Sequence, residues 1–194
     1  MNLIIIQSSP NEDGLTAACA AAAAEGAQQA GACVEIVNLN DASVGMCQAC
    51  GSGWGQCLTA HECQVEDGFQ ALHQQVIAAD GLVIVTPVYW GEMSESAKAL
   101  TDRLRRCEAT RERELGGSRL TSKPYIAVAA AGGSGNGTIT CLGSMERWGQ
   151  HISARVFDLI PVNRWTRAHK LDCIRAAAYE LVISSGGSNP GENR

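Results

Sequence analysis

The segment GLVIVTPVYWGEMSESAKAL, residues 81–100, contains the pattern that decides the fold. It opens with a short apolar run of the kind found in buried strands, and from Ser94 it takes the spacing of a helix. Between the two, Pro87 fixes the backbone and removes an N–H donor, and Tyr89 and Trp90 stand where an ordinary connection is polar. The sequence therefore predicts a strand, a loop shaped to receive a flat ligand, and a helix.

The same alternation extends in both directions along the chain. Short apolar runs predict five strands, at residues 3–6, 33–38, 82–85, 125–131 and 155–160. The intervening and final segments predict helices, at residues 16–30, 67–79, 94–114, 138–153 and 167–184. Strands that alternate with helices form a parallel sheet covered on both faces. We therefore predict a single α/β domain over residues 1–185, followed by a flexible tail at residues 186–194.

Composition and charge exclude several classes of function. A net charge of −5 over 194 residues argues against a nucleic-acid surface, which needs clustered Lys and Arg. The one basic cluster, residues 103–106, is followed by Glu108, Glu112 and Glu114, and is interpreted as a solvent-exposed helix face. No segment has the apolar length of a membrane span, and the N-terminus lacks the basic leader of a signal peptide. We expect a cytoplasmic protein that binds neither nucleic acid nor membrane.

Three unusual loops follow the first, third and fourth predicted strands, so they are expected to form one site at the carboxyl edge of the sheet. The first, residues 7–16, leads into a helix N-terminus that favours an anion, with hydroxyl donors at Ser8, Ser9 and Thr16. The third, residues 132–137, is glycine-rich and allows close approach of the backbone to a ligand. Taken singly, each loop is equally explained by helix capping, packing or a plain connection. The Walker and G-x-G-x-x-G nucleotide fingerprints are absent.

In combination these motifs resemble those of the flavodoxin-like NAD(P)H-dependent FMN reductases, a group that includes the iron–sulfur flavoproteins. The resemblance covers about residues 1–160. It rests on Ser-Pro-x-x-x-Gly-x-Thr before the first helix, Pro-Val-Tyr-aromatic-Gly-x-x-Ser-x-x-x-Lys-x-Leu-x-Asp-Arg after the third strand, and the glycine-rich loop. It implies a flavodoxin-like, doubly wound, five-stranded parallel sheet with FMN at the strand ends. It also implies NADH or NADPH as co-substrate and a homodimer or homotetramer with sites at subunit contacts.

The resemblance assigns candidate FMN-binding residues loop by loop. The phosphate is expected at Ser9, at Thr16 and at the backbone of Gly14 and Leu15. The isoalloxazine ring is expected beside Pro87, Val88, Tyr89, Trp90 and Gly91. The pyrimidine side of the ring is expected to be lined by Gly132, Gly133, Ser134 and Asn136.

Two positions depart from the family pattern, and three others match it without an assigned cofactor contact. Asn11 stands where arginine is usual, and Leu15 where asparagine or serine is usual, which predicts a weaker phosphate site. Lys98, Asp102 and Arg103 match, and are interpreted as an ion-pair set at the subunit contact.

Nine cysteines in a chain of this kind favour free thiols or metal ligands over disulfides. Four of them are close in sequence and are candidate ligands of an iron–sulfur cluster or zinc: Cys47, Cys50, Cys57 and Cys63. His61 adds a Cys/His zinc alternative. The iron–sulfur branch resembles C-x2-C-x2-C, and this chain has Gly53 at the third position, so we predict against a cluster. The remaining cysteines are predicted to be buried small hydrophobes: Cys19, Cys33, Cys107, Cys141 and Cys173.

The sequence thus predicts an FMN-dependent oxidoreductase that takes hydride from NADH or NADPH and reduces a small-molecule acceptor, such as free flavin or a quinone. Hydride transfer to flavin needs no protein acid or base, so we assign no catalytic side chain. Trp54 and Trp90 are expected to border the nicotinamide or acceptor pocket. Two alternatives remain open: a flavodoxin-type electron carrier, and an iron–sulfur or thiol redox protein that uses residues 47–63.

Overall fold

A computed structural model of the chain describes residues 1–186. Its strands are β1 (Asn2–Gln7), β2 (Cys33–Asn38), β3 (Gly81–Tyr89), β4 (Glu92–Met93), β5 (Pro124–Ala131) and β6 (Arg155–Asn163). Its helices are α1 (Leu15–Gln29), α2 (Cys50–Gly53), α3 (Gln56–Thr59), α4 (Phe69–Ala78), α5 (Glu95–Leu115), α6 (Thr138–His151) and α7 (Arg167–Gly186). The predicted tail lies outside the described residues, apart from Gly186, which the structure places at the end of α7 and not in the tail.

Five strands form a parallel sheet in the order β2-β1-β3-β5-β6. This is the flavodoxin-like order, and the predicted doubly wound, five-stranded parallel sheet is confirmed. A sixth strand, the two-residue β4, pairs antiparallel with the end of β3. The sequence analysis did not predict β4, because two paired residues are too few to show alternation.

The two faces of the sheet are covered by different helices. Successive residues of a strand point to opposite faces, so in β1 Leu3 and Ile5 pack against α1 and α7, whereas Ile4 and Ile6 face α4, α5 and α6. All four side chains are buried. A strand buried on both faces must be apolar at every position, which explains the continuous apolar runs that predicted the sheet.

The alanine-rich helix α1 lies very close to α7. A Cβ atom built on Gly26 of α1 would lie only 2.0 Å from the carbonyl oxygen of Arg175 of α7. The small side chains of α1 allow this close packing of the two helices, and the contact leaves no room for a Cβ atom at Gly26. None of the helices within residues 1–186 combines the length and the apolar character that crossing a lipid bilayer requires.

Candidate functional site

The three loops expected to form the site leave neighbouring strands at the carboxyl edge of the sheet. Gln7, the last residue of β1, is opposite Val85 of β3, and Pro87 of β3 is opposite Ala130 of β5. We call the segments after these strands the β1 loop (residues 8–14), the hairpin (residues 87–93) and the glycine loop (residues 132–137). Strand β3 continues beyond the end of β1, so the hairpin stands between the other two.

The β1 loop is held in shape by its own serines. The Ser8 hydroxyl donates to the carbonyl of Val85 at 3.5 Å and accepts from the Ser94 hydroxyl at 2.8 Å. Ser8 is therefore buried and faces the sheet, which corrects the prediction that it offers a donor to a ligand. The Ser9 hydroxyl accepts the backbone N–H of Asn11 at 3.1 Å, and its own proton stays available to a ligand.

Helix α1 begins with open hydrogen-bond donors. Gly14 is its N-cap, and no side chain of the described residues caps it. The first intrahelical acceptor is the Gly14 carbonyl, which receives the N–H of Ala18, so the N–H groups of the preceding turn have no partner in the helix. Thr16 is buried, and its hydroxyl has no hydrogen-bond partner within residues 1–186. Because Glu12 and Asp13 are exposed to solvent, this end can accept an anion.

The hairpin occupies the segment where the sequence predicted a loop after a strand ending at residue 85. Strand β3 runs to Tyr89, which pairs with Glu92 across a two-residue turn. Trp90 and Gly91 in that turn have φ angles of 53° and 81°, as a type I′ hairpin turn requires. A positive φ is strained for a bulky side chain, yet the Trp90 side chain is fully exposed. Pro87 is buried inside β3, whereas Tyr89 is partly exposed at its end.

The glycine loop packs directly against the hairpin. A Cβ on Gly137 would lie 2.6 Å from the Cα of Gly91, so this contact needs glycine at residue 137, where φ is also positive. A cavity of about 490 Å³ opens between the two segments, lined by Val88, Trp90, Gly91, Asn136, Gly137 and Thr140. A second cavity of about 270 Å³ lies between the β1 loop and the hairpin, and its lining includes Pro10 and Tyr89. Three residues predicted to line the pyrimidine side of the ring lie at the start of the glycine loop. They are exposed and line neither cavity: Gly132, Gly133 and Ser134.

These features fit a flavin mononucleotide. The uncapped start of α1, with the Thr16 and Ser9 hydroxyls, suits a phosphate group. The cavity beside the hairpin offers an apolar wall at Val88 and Trp90, with backbone and amide groups of Asn136 nearby, which suits a ring that is apolar on its face and polar at one edge. No neighbouring atom lies within 4 Å of a Cβ placed on Gly132 or Gly133, so the backbone there can be approached closely.

Residues 1–160 match the family profile described as NADPH-dependent FMN reductase. The chain belongs to the NADPH-dependent FMN reductase family. Its resemblance to flavodoxin-like FMN reductases is thereby confirmed, and FMN is the cofactor of this family. The fold agrees: "flavone reductase" aligns with a TM-score of 0.73 at 16% identity, over 100% of this chain and 66% of the other. "NAD(P)H:quinone oxidoreductase from Methanothermobacter marburgensis" aligns with a TM-score of 0.68 at 17% identity, over 93% and 96% of the two chains.

Among curated proteins, the chain is similar to an iron–sulfur flavoprotein of Methanosarcina thermophila. The two are 29% identical over 140 residues, which is 71% of this chain and 66% of that one. An iron–sulfur flavoprotein of Archaeoglobus fulgidus is also 29% identical, over 68% of this chain and 60% of its own length. The chain thus spans less than two thirds of the length of these relatives.

We call residues 40–66 the cysteine loop. An arginine of α5 holds this loop against the helix. Arg103 donates to the carbonyl of Gly45 at 3.0 Å and to the carboxylate of Asp67 at 2.6 Å. Its second terminal nitrogen donates to the Cys63 sulfur at 3.3 Å and to the carbonyl of Val65 at 3.1 Å. Arg103 is 1% exposed. It is therefore a buried anchor of the cysteine loop, and its assignment to a subunit contact or to a solvent-exposed helix face was wrong.

The electrostatics of this anchor follow from burial opposed by hydrogen bonds. Burial raises the pKa of Asp67, but the hydrogen bonds from Arg103 and from the backbone N–H groups of Phe69 and Gly45 outweigh it and hold that pKa below its usual range. The guanidinium also stacks 4.2 Å from the centroid of the Phe69 ring. By contrast, Lys98 and Asp102 of the same motif form the predicted ion pair, which is exposed and has a 2.5 Å separation.

Two further contacts bind the cysteine loop along α5. Arg106 donates to the carbonyl of Gly53 at 2.5 Å and stacks 4.6 Å from the ring centroid of Trp54. Thr110 donates to the carbonyl of Cys57 at 2.7 Å. Trp54 is thus engaged by Arg106 and lines neither cavity at the sheet edge, so the structure does not bring it together with Trp90.

The four clustered cysteines do not form a metal site in this conformation. In the described part of the chain, no three His, Cys, Asp or Glu side chains come together as metal ligands do. Cys57 and Cys63 pack against the core, and the Cys63 sulfur is occupied by Arg103. His61 is buried with Nδ1 3.2 Å from the Thr110 hydroxyl, so it faces α5. The arrangement therefore fits neither a four-thiolate cluster nor a Cys/His zinc site.

The other cysteines divide into two groups. Three are buried as predicted, and burial raises the pKa of each thiol to about 12: Cys19, Cys107 and Cys141. Cys33 and Cys173 are exposed, so their predicted burial was wrong. Cys33 opens the edge strand β2, which has a partner on one side only, and Cys173 lies on α7.

Glu108 was predicted to lie on a solvent-exposed face of α5, and this prediction was wrong. Glu108 is 0% exposed and accepts from His73 at 2.8 Å and from the Arg119 side chain at 2.9 Å. Burial raises its pKa, but these hydrogen bonds and the Arg119 backbone N–H outweigh burial and lower it to about 2. The signal was available: Leu100, Leu104 and Glu108 recur every four residues, so the acid shares the face of the core leucines.

Proposed function

We propose that the protein is an FMN-dependent oxidoreductase that takes a hydride from NADH or NADPH and passes the electrons to a small-molecule acceptor such as free flavin or a quinone. The observation that carries the proposal is the position of two features at one sheet edge: an uncapped helix start and a cavity walled by the hairpin. Membership of the FMN reductase family supports it. When bound, FMN supplies the hydride and electron transfer chemistry.

In this proposal the chain binds and orients the cofactor. The first-turn N–H groups of α1 from Leu15 onward, with the hydroxyls of Thr16 and Ser9, bind the phosphate. The hairpin backbone from Val88 to Gly91 and the amide of Asn136 border the ring, and the Trp90 indole excludes water from its exposed side. Hydride transfer to flavin needs no protein acid or base, so the proposal assigns no catalytic side chain.

We further propose that the protein works as a homodimer or homotetramer with subunit contacts at this edge. Trp90 and Ile139 are large, apolar and exposed side chains, and they flank the Gly91–Gly137 contact between the hairpin and the glycine loop. Exposed apolar groups clustered beside a site are typical of surfaces that are covered in the assembled protein. Sedimentation velocity of the FMN-loaded protein tests this, and a monomer at micromolar concentration contradicts it.

Flavin titration followed by turnover tests the enzyme proposal. Apo-protein is titrated with FMN by fluorescence quenching, and the oxidation of NADH or NADPH by the loaded protein is then recorded with and without a quinone. Thr16→Val removes one hydroxyl and keeps the shape, so it should weaken FMN binding by about 1.5–3 kcal/mol, the range for a hydrogen bond to a charged group. Thr121→Val, at the opposite edge of the sheet, is the control. Equal affinities for the two variants place the phosphate elsewhere.

The same preparation distinguishes the alternatives. FMN binding without continuous NAD(P)H oxidation would favour a flavodoxin-type carrier. The similarity to iron–sulfur flavoproteins supports an iron–sulfur protein as the second candidate, and this requires the cysteine loop to rearrange, since its cysteines form no metal site in the described conformation. Assays of iron and acid-labile sulfide in anaerobically purified protein test this candidate. About four of each per chain are expected for a cubane cluster held by four thiolates. Loss of both in Cys57→Ser would establish the cysteine loop as the cluster site.

A further inference from the structure

Three buried hydroxyls connect the β1 loop to the hairpin. The Ser94 hydroxyl donates to the Ser8 hydroxyl at 2.8 Å, and the Ser94 backbone N–H donates to the Thr86 hydroxyl at 3.0 Å. All three side chains are at most 2% exposed. The series of hydrogen bonds therefore runs from Thr86 in β3, through Ser94 at the start of α5, to Ser8, the first residue after β1.

Each hydroxyl in this hydrogen-bonded series donates one hydrogen bond and accepts at least one. Ser94 accepts the N–H of Ala97 at 3.3 Å, and Ser8 donates to the carbonyl of Val85 at 3.5 Å. Thr86 donates to the carbonyl of the following residue at 3.0 Å. A fully satisfied buried network resists rearrangement, because breaking any bond leaves a buried polar group unpaired.

The Ser94–Ser8 hydrogen bond joins the two parts of the site that contact opposite ends of FMN. Ser8 immediately precedes Ser9 and the loop that leads to the uncapped start of α1. Ser94 follows the hairpin directly and is hydrogen-bonded to Thr86 of β3. The bond therefore sets the separation between the phosphate-binding end and the ring-binding end.

We propose that Ser94 is a positioning residue that, through Ser8, holds the β1 loop at a fixed distance from the hairpin and thereby selects FMN over unphosphorylated riboflavin. The inference rests on the proposed function, since it assumes FMN at this edge. FMN gains affinity from both ends only if their separation matches the length of the ligand, because a misplaced second contact contributes little. Riboflavin lacks the phosphate and uses the ring end alone, so it is insensitive to that separation.

Ser94→Gly is the principal variant. It removes the hydroxyl but costs a helix N-cap only a few tenths of a kcal/mol, so α5 is retained. We expect the FMN dissociation constant to rise about tenfold, the value of one buried hydrogen bond, while that of riboflavin stays within about twofold of the wild-type value. Ser94→Thr restores the hydroxyl and should restore the preference for FMN. Ser8→Ala should reproduce the loss, and adding it to Ser94→Gly should cause little further loss, because both remove the same bond.

Thr101→Val is the matched control. Thr101 is a buried residue of the same helix, and its hydroxyl donates within α5, to the carbonyls of Ala97 at 2.9 Å and Lys98 at 3.1 Å, so both flavins should bind as in wild type. Equal weakening of FMN and riboflavin, additive losses in the double variant, or the same loss in Thr101→Val would overturn the inference. A wild-type protein that binds FMN no tighter than riboflavin would instead refute the proposed phosphate site, which separates the two failures.

Discussion

Replacing Arg103 by methionine probes the anchor of the cysteine loop. The substitution removes the donors to the Asp67 carboxylate, to the carbonyls of Gly45 and Val65 and to the Cys63 sulfur, and keeps an unbranched apolar side chain. The loop then loses its connection to α5 at the point where that connection is most buried.

The expected cost follows from the partners left behind. Removing one member of a buried ion pair typically costs about 3–5 kcal/mol. Asp67 retains the N–H groups of Gly45 and Phe69, each at 2.9 Å, and methionine can keep part of the packing against the Phe69 ring. We therefore expect the lower end, about 3 kcal/mol, which moves a urea midpoint by about 1–3 M at ordinary m-values.

Urea denaturation of Arg103→Met against Arg105→Met is the assay. Arg105 is two residues away on the same helix and makes no hydrogen bond or ion pair within residues 1–186, so its loss should change stability by at most about 0.5 kcal/mol. The Asp67 pKa is lowered on folding, so the stability that this carboxylate contributes is present above the ordinary pKa of an aspartate and is lost as the pH falls through the lower pKa of the folded state. The difference between wild type and Arg103→Met should therefore shrink in acid. Equal midpoints for the two variants would refute the anchor.

Three more predictions concern the α1–α7 packing, the phosphate site and the hairpin turn. Gly26→Ala should destabilise the protein by about 1–3 kcal/mol through overpacking against α7. Gly143→Ala is the control: its Cβ would meet only the end of the Arg147 side chain, at 3.5 Å, so it should stabilise the protein by up to about 1 kcal/mol. Equal shifts in the thermal midpoint of the two variants would contradict this prediction. Asn11→Arg should tighten FMN binding by about 1.5–3 kcal/mol and leave riboflavin unchanged, and an unaltered FMN titration would place the phosphate elsewhere. Trp90→Gly should raise stability by about 1 kcal/mol, because glycine tolerates the positive φ, and lower NAD(P)H turnover; unchanged turnover would remove the indole from the site.

The sheet was predictable because its strands are buried on both faces. Continuous apolar runs such as residues 82–85 have no other stable environment in a chain of this length, and the helices between them require parallel pairing. The same reasoning placed the three loops at one edge. The helix predicted to begin at residue 94 was placed correctly: Ser94 is the N-cap of α5, and its hydroxyl accepts the N–H of Ala97.

The side-chain contacts were less predictable, because charge pattern alone does not separate a buried pair from a solvent-exposed one. Arg103 was interpreted from its charged neighbours in sequence, but its partner Asp67 lies 36 residues away. Its helical phase, three residues after the buried Leu100, was the better guide. The turn at Trp90 was missed for a different reason: a type I′ turn normally contains asparagine or glycine at that position, so nothing in the local sequence indicated it.

The contacts between helix α5 and the cysteine loop lie at different distances along the helix from Ser94. At a rise of about 1.5 Å per residue, Arg103 lies about 14 Å along the axis from Ser94, and Thr110 lies about 24 Å from it. The attachment points of Cys63 and Cys57 are therefore graded in distance from the edge where the flavin is proposed to bind. Thiols that look equivalent in the sequence are unequal in space, and any exchange of electrons between that edge and the loop would reach the Cys63 end before the Cys57 end.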